Sequence, residues 1–525
     1  MLRSPTATEP ARGSSALAPF AVVVLAALVA SVALAGYRLA RLWTFTIDDA
    51  FITARYARNV ALGYGPVYNP GETPVEGTSN LLYVLLLSLA ARSGRIDIIT
   101  FGKLIGVASA AGILYVSYRG VRALGEDAVV AALAPTFLLA NAPFVLWTVG
   151  GLETNLYALL VLLAVVLVLL PAARPRHAVL AGLSGGLAAL TRFDGLFLGV
   201  ALLAGAALRP RRRRAYLVAL GVFALVAAPG LLWKRAYYGT FLPNCGFVKT
   251  VFAPDLTAPL AFLRRALLES PERYMLLAFL YVHAALVVLA LVYAVWCLVA
   301  RPRDEAGRSF CVVAGAFAVL GSIGFLNVQT WMPGLRYHVP FLPLLAVAAA
   351  IGCGRLARFA GALPGGAAVT AVAVVVLVAW PQIAASRVLL GYADFYRAWV
   401  LADHEPTAAW LRENAGKDAL IAVYDAGMVP FVSERPTLDL GGLNDRTIAT
   451  LVKEHRAAEA AEYVLDRNPT FLVLAPFPLR PGLSPFPVDT ALARSPRFQQ
   501  SYRLLFVSGR QGVAAEYHLY VLRRN

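Results

Sequence analysis

The chain has 525 residues, of which 59% are hydrophobic and only 15% are charged, and its mean hydropathy is +0.66. These values exclude an ordinary soluble domain and indicate a membrane protein. The formal net charge of +17 does not indicate a nucleic-acid-binding protein, because the arginines lie mostly in short loops between apolar runs, where they set membrane topology.

The first apolar stretch is longer than the core of a signal peptide, and no clear small-residue cleavage site follows it. We therefore interpret Ala16–Ala40 as a retained first span that also directs insertion. Further apolar runs recur as far as about Ile383, and a spanning helix needs about 20 residues to cross about 30 Å of hydrocarbon. Beyond about residue 390 the composition changes to that of a soluble domain.

Basic loops recur along the chain and predict how the spans are oriented. If these loops all face the cytoplasm, an even number of crossings must separate neighbouring loops. This even number of crossings, together with the short length of the segment, excludes Leu81–Ala91 as a span. The same rule divides residues 178–208 into two short spans. The basic positions used are Arg3, Arg12, Arg119, Arg122, Arg174, Arg176, the run at 209–214, Arg301, Arg303, Arg308, Arg355 and Arg358.

The sequence thus predicts a polytopic α-helical membrane protein with about eleven spans. Residues 1–389 form the multi-span domain, with a cytoplasmic N-terminus and a first outer loop at about residues 41–100. Residues 390–525 form an extracytoplasmic α/β domain. In this topology the polar motifs of the chain all fall on the outer side, as a single active site requires.

The polar loop after the first span carries two adjacent carboxylates, Asp48 and Asp49. A charge at the mouth of a membrane segment needs a partner or a proton. One interpretation is a helix N-terminus, where the dipole favours acidic side chains and Asp48 is the N-cap. The other is catalytic: one carboxylate acts as general base on an acceptor hydroxyl, while its neighbour orients the substrate or both help to hold a divalent metal.

A third carboxylate, Glu153, lies in a Gly-Gly-Leu-Glu-Thr turn between spans. It is either a first-turn acid on the span that begins near Leu156 or a second outer carboxylate that meets Asp48 and Asp49 at one cavity.

Four basic side chains on the outer side offer donors of the kind that phosphate recognition uses. They are Arg192, Lys249, Arg336 and His338. Arg192 could instead pair with Asp194, and the other three could be interface residues whose apolar stems are buried. A lipid-phosphate substrate at the outer leaflet would account for the whole set.

The last part of the chain alternates predicted strands, at Phe471–Ala475 and Tyr517–Leu522, with predicted helices at Pro406–Asn414 and Asp445–His455. A short apolar strand also ends near Asp425, and a glycine-rich segment follows Asp439. The glycines could be turn formers only, or the polar residues at the strand ends could bind a sugar chain.

The four cysteines, Cys245, Cys297, Cys311 and Cys353, predict neither a disulfide framework nor a thiol–metal site. No cofactor is predicted with certainty, and a divalent metal is left open.

Residues 48–80 resemble the first outer loop of the GT-C glycosyltransferases. The matching runs are Asp-Asp-Ala-Phe-Ile-Thr-Ala-Arg-Tyr-Ala-Arg-Asn at 48–59, Gly-Pro-Val-Tyr-Asn-Pro-Gly-Glu at 65–72 and Val-Glu-Gly-Thr-Ser-Asn at 75–80. The likeness is strongest to the arabinofuranosyltransferase-like branch that includes the mycobacterial terminal β-arabinofuranosyltransferase. Motifs around Glu153, Arg192, Pro243–Lys249, Arg336 and 425–445 fit that branch too.

The resemblance implies an inverting glycosyltransferase of a bacterial inner membrane. It would move a sugar, with arabinofuranose as one candidate, from a polyprenyl-phosphate donor to a cell-envelope glycan or lipid acceptor on the outer face. The implied catalytic residues are Asp48, Asp49 and Glu153. The implied donor- or phosphate-binding residues are Arg55, Arg192, Asp194, Lys249, Arg336 and His338, and the implied acceptor-binding residues are Glu76, Asn80, Asp425, Asp439, Asn444 and Asp445.

The chain departs from the family at Cys245-Gly246, where a threonine and an aromatic residue often follow Pro-Asn. Two other classes of protein stay open. One is a flippase or transporter of polyprenyl-linked sugars, which would place ionisable residues near mid-membrane rather than at span ends. The other is a non-catalytic glycan-binding membrane receptor.

Overall fold

The computed structural model describes residues 18–170, 175–250, 273–299, 304–326, 332, 334–474, 486–508 and 520–525. The first two residues of the predicted first span and the start of the predicted strand at 517–522 lie outside these ranges. So do five of the basic residues used to predict topology, which are Arg3, Arg12, Arg174, Arg301 and Arg303.

Most described residues before position 404 are helical. In chain order the helices are α1 (Ala18–Leu42), α2 (Asp48–Ala61), α3 (Leu81–Ser93), α4 (Ile98–Ala123), α5 (Ala128–Ala140), α6 (Ala142–Val149), α7 (Thr154–Leu169), α8 (Pro175–Thr191), α9 (Leu196–Leu208), α10 (Arg213–Tyr238), α11 (Asn244–Lys249), α12 (Arg273–Val282), α13 (Ala284–Val299), α14 (Glu305–Leu326), α15 (Leu342–Ala360) and α16 (Gly366–Trp399). Short 3-10 segments occur at Phe193–Gly195, Pro210–Arg212 and Arg336–Phe341, and a π-helical turn at Val400–His404.

Within the described ranges, six helices are long and apolar enough to cross a membrane, and the number is eight if each of two bent helix pairs forms one span. These helices support a multi-pass membrane protein. The predicted number of about eleven spans depends on α7, α8 and α9, which have only 16, 17 and 13 residues, so that number stays a prediction. Helix α3, with 13 residues, is also too short to cross.

The break between α5 and α6 arises from the sequence Asn141-Ala142-Pro143. Asn141 has an extended backbone, with φ −76° and ψ 116°, and its side chain accepts a hydrogen bond from the Phe144 amide. Asn141 therefore ends α5 and caps α6, and Pro143 fits the first turn because no amide donor is needed there. The resulting 65° bend leads α6 into the turn that carries Glu153.

After α16 the chain forms a five-stranded sheet in the order β2-β1-β3-β5-β4. Strand β1 pairs in parallel with β2 and β3, and β5 pairs antiparallel with β3 and β4. Alternate strand residues pack against helices on both faces, which makes this region a three-layer α/β arrangement. Its elements are α17 (Glu405–Asn414), β1 (Ile421–Val423), α18 (Met428–Ser433), β2 (Thr437–Asp439), α19 (Arg446–Lys453), α20 (Ala457–Asp466), β3 (Phe471–Leu474), α21 (Pro487–Arg494), α22 (Pro496–Ser501), β4 (Tyr502–Val507) and β5 (Tyr520–Arg524).

The predicted strands and helices of this region correspond to β3, β5, α17 and α19. The predicted boundary between residues 389 and 390 lies inside α16, which continues without a break to Trp399. Hydropathy falls well before the helix ends, so composition alone does not show where the membrane helix stops.

We expect Gly352→Ala to lower the free energy of unfolding by about 1–3 kcal/mol, the usual effect of overpacking a core. A Cβ at Gly352 on α15 would lie 1.9 Å from the carbonyl oxygen of Leu289 on α13, so one helix backbone must shift. The control is Gly391→Ala on α16, where no heavy atom lies within 4 Å of an added Cβ. This control should stabilise the protein slightly, by about 0.5–1 kcal/mol. Thermal unfolding in detergent measures both, and equal midpoints would contradict the expected close helix contact.

Candidate active site

The two adjacent carboxylates at the start of α2 face different surroundings, because neighbouring helical residues differ by about 100° around the axis. The Asp48 carboxylate is buried and accepts hydrogen bonds from the amides of Gly427 (2.9 Å) and Met428 (2.7 Å). Its own amide donates to the Tyr396 hydroxyl at 2.8 Å. Asp49 instead lines a cavity. Asp48 thus joins α2 to the C-terminal region, and Asp49 is the carboxylate open to a ligand.

This cavity has a volume of about 210 Å³ and is built from the first outer loop, the turns before α7 and α9, helix α11 and the segment before α15. It combines charged, hydroxyl-bearing and aromatic side chains. The lining residues are Asp49, Ile52, Thr53, Gly77, Thr78, Ser79, Asn80, Leu152, Glu153, Arg192, Phe193, Asp194, Phe197, Leu242, Pro243, Cys245, Gly246, Lys249, Thr250, Gly324, Phe325, Arg336, Tyr337 and Leu443.

Two basic side chains lie near Asp49 but do not form a short ion pair with it. Lys249 Nζ lies 3.5 Å and Arg336 Nη1 lies 3.7 Å from Asp49 Oδ2. Burial would lower the pKa of Lys249, but Tyr337 and Asp49 outweigh it and the pKa is raised. Lys249 therefore keeps its positive charge, and the loose contacts leave Asp49 oxygens for a substrate group.

Glu153 holds the two arginines of the cavity. Its Oε1 accepts from Arg192 Nη1 at 3.1 Å and Arg336 Nη2 at 3.0 Å, and its Oε2 accepts from Asn80 Nδ2 at 2.9 Å. Arg192 also donates to Asp194 at 2.9 Å. The Glu153 side chain is only 1% exposed. Burial would raise its pKa, but Arg336 and Arg192 together lower it to about 2, so Glu153 is an ionised anchor and cannot act as an acid.

Aromatic rings complete the support of these guanidinium groups. Tyr337 lies 5.1 Å from the Arg192 guanidinium carbon and 5.7 Å from that of Arg336. Tyr157 and Trp147 contact the same two arginines at 5.4 and 5.8 Å. Such cation–π contacts limit the motion of the guanidinium groups without neutralising their charge. The cavity thus holds fixed positive charge beside a partly free carboxylate.

The structure brings seven of the predicted site residues to the cavity and places the other eight elsewhere. Those at the cavity are Asp49, Asn80, Glu153, Arg192, Asp194, Lys249 and Arg336. Those elsewhere are Asp48, Arg55, Glu76, His338, Asp425, Asp439, Asn444 and Asp445. Their contacts are described below, and their predicted roles stay predictions.

Four of the five N–H donors of the Arg55 guanidinium are used within the protein. Its guanidinium donates to the carbonyls of Tyr68 (2.9 Å), Pro430 (2.6 Å) and Arg435 (2.8 Å) and to Asn69 Oδ1 (3.0 Å). It therefore clamps the first outer loop to the C-terminal region.

His338 is packed among aromatic rings rather than at the cavity. Its ring stacks on Phe279 with centroids 5.0 Å apart and contacts Phe325 at 5.7 Å. The side chain is buried, and although its neighbours Arg336 and Tyr337 line the cavity, His338 itself does not. Residue type and the family resemblance of the motif around Arg336 suggested a phosphate role for His338, whereas the 3-10 turn directs its ring away from the cavity.

The remaining predicted acceptor residues make contacts within the protein. Glu76 forms a buried ion pair with Lys234 at 2.5 Å, and Asp425 contacts His404 Nε2 at 3.0 Å. The Asp439 carboxylate accepts hydrogen bonds from the backbone amides of Gly441 and Asn444 and from the Asn444 side-chain amide. The Asn444 side-chain oxygen accepts a hydrogen bond from the Tyr56 hydroxyl. Asp445 caps the start of α19, where its carboxylate accepts a hydrogen bond from the Ile448 amide.

Several cavity residues were not predicted. Thr53 follows Asp49 by four residues and so shares its helix face, a signal that the sequence contained. Tyr337 lies beside Arg336, and Thr78 and Ser79 precede Asn80. Phe193, Phe197 and Phe325 carried no local signal. Among the described residues, no cluster of three His, Cys, Asp or Glu side chains is close enough to hold a metal ion.

We expect the stability lost by Asp48→Asn to be largest near pH 5 and to decrease toward pH 8. Burial and the charge of Asp425 raise the pKa of Asp48 to about 7, while His404 and the Met428 amide act in the opposite direction. A group whose folded-state pKa exceeds its unfolded value stabilises the folded protein at low pH, and that contribution is lost as the pH rises through the folded pKa. Thermal midpoints of both proteins across this range measure the effect, with exposed Asp394→Asn as control. A loss that grows with pH would contradict it.

Solved structures share the fold of the helical region and the α/β region. ArnT from Cupriavidus metallidurans bound to undecaprenyl phosphate matches with a TM-score of 0.57 at 16% identity, over 97% of this chain and 98% of ArnT. The Archaeoglobus fulgidus oligosaccharyltransferase in the apo form matches with a TM-score of 0.58 at 14% identity, over 87% and 70%. The archaeal oligosaccharyltransferase AglB, also from Archaeoglobus fulgidus, in complex with an inhibitory peptide and a dolichol-phosphate, matches with a TM-score of 0.51 at 14% identity, over 87% of this chain and 70% of that chain.

Two family models match parts of the sequence. Residues 102–322 match Glycosyltransferase family 87, and residues 394–520 match a domain of unknown function, DUF8728. No curated protein matches the sequence significantly. Together the fold and the family 87 match support a membrane glycosyltransferase of the GT-C superfamily.

Proposed function

We propose that this protein transfers a sugar from a polyprenyl-phosphate donor to a cell-envelope glycan or lipid acceptor on the outer face of a bacterial inner membrane. One observation carries the proposal: Asp49, Lys249, Arg192 and Arg336 line a single cavity. The ArnT and AglB structures, whose bound undecaprenyl phosphate and dolichol-phosphate are lipid phosphates, support the donor class. Arabinofuranose is the sugar that the sequence resemblance favours.

In this proposal Asp49 is the general base. It takes the proton of an acceptor hydroxyl while that oxygen forms a bond to the anomeric carbon of the donor, and the bond from that carbon to the phosphate oxygen breaks on the opposite side. Its two cations lie at 3.5 and 3.7 Å, so the carboxylate can receive a proton without first breaking a short ion pair. General-base assistance contributes about 10²–10⁴-fold to such reactions.

The cations act on the leaving group. A polyprenyl-phosphate sugar is a phosphodiester with one negative charge, and the departing polyprenyl phosphate gains a second one. Fixed positive groups stabilise charge that develops in the transition state more than charge already present. Glu153 fixes the guanidinium groups of Arg192 and Arg336. These two groups and the Lys249 ammonium line the cavity, where they would stabilise the charge that develops on the departing phosphate.

The orientation follows the charge of the loops. Basic residues face the cytoplasm with the N-terminus, and the cavity and the α/β region of residues 390–525 lie on the other side. The lipid phosphate then reaches the cavity from the outer leaflet.

The test is sugar release and transfer by purified protein from a panel of radiolabelled polyprenyl-phosphate sugars, including arabinofuranose, with cell-wall extract as acceptor. Turnover of one donor would establish the transferase and name its sugar. Asp394→Asn, an exposed carboxylate paired with Arg41, is the control that should keep wild-type turnover. Binding of a lipid-linked sugar with no turnover under any condition would favour the transporter or receptor.

A further inference from the structure

The domain of unknown function contributes directly to the cavity. Its loop between β2 and α19, residues 440–445, reaches across to the membrane region, and Leu443 lines the cavity beside residues of the first outer loop. We call residues 440–445 the β2–α19 loop.

Asn244 connects this loop by hydrogen bonds to the first outer loop and to helix α11, which also line the cavity. Its side-chain amide donates to the carbonyls of Gly442 (2.7 Å) and Leu443 (3.0 Å), and its backbone amide donates to the Glu76 carbonyl at 2.9 Å. Asn244 also begins α11, the helix that carries Lys249. A single buried residue thus connects the domain of unknown function, the first outer loop and the helix with the catalytic-site lysine.

Asn444 makes the second attachment. Its Oδ1 accepts from the Tyr56 hydroxyl at 3.0 Å, and its side-chain amide donates to Asp439 at 2.8 Å. A Cβ added at Gly77 would lie 1.8 Å from Asn444 Oδ1. The first outer loop and the β2–α19 loop therefore meet without room for a solvent layer between them.

The wall made by these two loops differs chemically from the rest of the cavity. Leu443, Gly77, Thr78, Ser79 and Asn80 supply one apolar surface, two hydroxyls and an amide, and none of them is charged. The ionised lining residues lie outside residues 77–80 and the β2–α19 loop, and Asp49 belongs to helix α2, in an earlier part of the first outer loop. Such a wall suits an uncharged, hydroxyl-bearing group such as a sugar residue, whereas phosphate suits the arginines and Lys249.

We propose that the β2–α19 loop and residues 77–80 form the acceptor-binding wall of the cavity, and that Asn244 and Asn444 are its positioning residues. This rests on the proposed transferase function. The loop also excludes water from the acceptor position. When it is displaced, a water molecule takes the place of the acceptor hydroxyl: its oxygen bonds to the anomeric carbon, Asp49 takes its proton and polyprenyl phosphate leaves, so donor is hydrolysed rather than transferred.

The first measurement uses Asn444→Ala and Leu443→Ala in the full chain. We expect the KM for acceptor to rise about fivefold for each, the change expected from losing about one net hydrogen bond or a small apolar contact. The KM for donor should stay unchanged, and the ratio of donor hydrolysis to transfer should rise. Asn414→Ala is the matched control, because Asn414 also donates to a backbone carbonyl of the same region (2.9 Å) but is exposed and away from the cavity. A purely structural role would lower kcat and thermal stability without this split.

The second measurement does not depend on catalysis. Cys245 lines the cavity, and burial raises its pKa to about 11, so it should react slowly with a water-soluble thiosulfonate reagent. In a background of Cys297→Ala, Cys311→Ala and Cys353→Ala, we expect Asn444→Ala and Leu443→Ala to speed its modification about fivefold or more, as the lost contacts predict, and Asn414→Ala to leave it unchanged.

The two measurements separate the failure of this inference from that of the proposed function. Faster Cys245 modification without turnover of any donor would keep the loop as a wall of the cavity and overturn the transferase. Unchanged modification in both variants, at wild-type thermal stability, would overturn the role of the loop whatever the activity. An increase in the KM for donor with an unchanged KM for acceptor would overturn its assignment to the acceptor.

Discussion

Asp49→Asn should lower the rate of sugar transfer by about 10²–10⁴-fold, the range that general-base catalysis contributes, with little change in thermal stability. The asparagine keeps the size of the side chain and removes only its capacity to take a proton. Because Lys249 and Arg336 approach Asp49 no closer than 3.5 and 3.7 Å, the folded protein loses little when the charge is removed. Transfer rates at saturating donor, with thermal midpoints for both proteins, measure this.

Asp48→Asn is the matched comparison, one residue away. Its side chain would place an amide group where the carboxylate accepts hydrogen bonds from two backbone amides, so we expect a lower thermal midpoint as its first effect. The raised pKa of Asp48, about 7, suits a general base, but a base must first reach the proton that it removes. Full turnover by Asp49→Asn, with inactivity of a thermally stable Asp48→Asn protein, would assign the base to Asp48.

Glu153→Gln should be the most destabilising substitution in the cavity, by about 3–5 kcal/mol, because breaking a buried ion pair leaves charge without compensation. Two arginines, Arg192 and Arg336, would lose the carboxylate that both contact within 3.1 Å. The surviving folded protein should also bind donor more weakly, because the guanidinium groups are no longer fixed. Thermal midpoints and the KM for donor measure the two effects.

The control for Glu153→Gln is Glu454→Gln. Glu454 pairs with Arg456 at 2.7 Å, but both side chains are about half exposed, and such surface pairs contribute about 0–1 kcal/mol. If Glu153→Gln changed stability no more than this control does, Glu153 would not be the anchor of the two arginines. An unchanged KM for donor would remove those arginines from donor binding.

The sequence predicted the membrane class and drew attention to seven residues that line the candidate cavity, because both depend on local patterns. Apolar runs predict helices that cross a membrane, and polar residues between them mark the loops. The number of spans was not predictable from the same pattern, since α7, α8 and α9 are shorter than a full crossing. The predicted boundary at residue 389 lies inside a helix for a related reason, because α16 continues after its sequence becomes polar.

Within the site, the sequence indicated which residues are candidates but not where their side chains point. The sequence singled out Asp48 and Asp49 together, but what separates them is a contact of Asp48 with Gly427, which is 379 positions away in the chain. The Arg192–Asp194 pair was foreseen because the two are neighbours. The shared contact of Glu153 with Arg192 and Arg336 was not, since it spans 39 and 183 positions. Nothing local shows which way a 3-10 turn directs each side chain, so the sequence did not indicate that the His338 ring packs against Phe279 and Phe325.

The clamp of Arg55 on the C-terminal region has a consequence for how the protein matures. Arg55 leaves the ribosome early, whereas Pro430, whose carbonyl it contacts, is 375 positions later. At about 5–20 residues per second, about 20–75 s pass between the synthesis of Arg55 and that of the carbonyl groups that accept hydrogen bonds from its guanidinium. The loop that carries Asp49 therefore reaches its final conformation only after nearly the whole chain has been made and its last region delivered to the same side of the membrane. The cavity is therefore incomplete until synthesis is nearly finished. Truncated chains that stop before residue 427 should insert into the membrane but should not form the complete cavity.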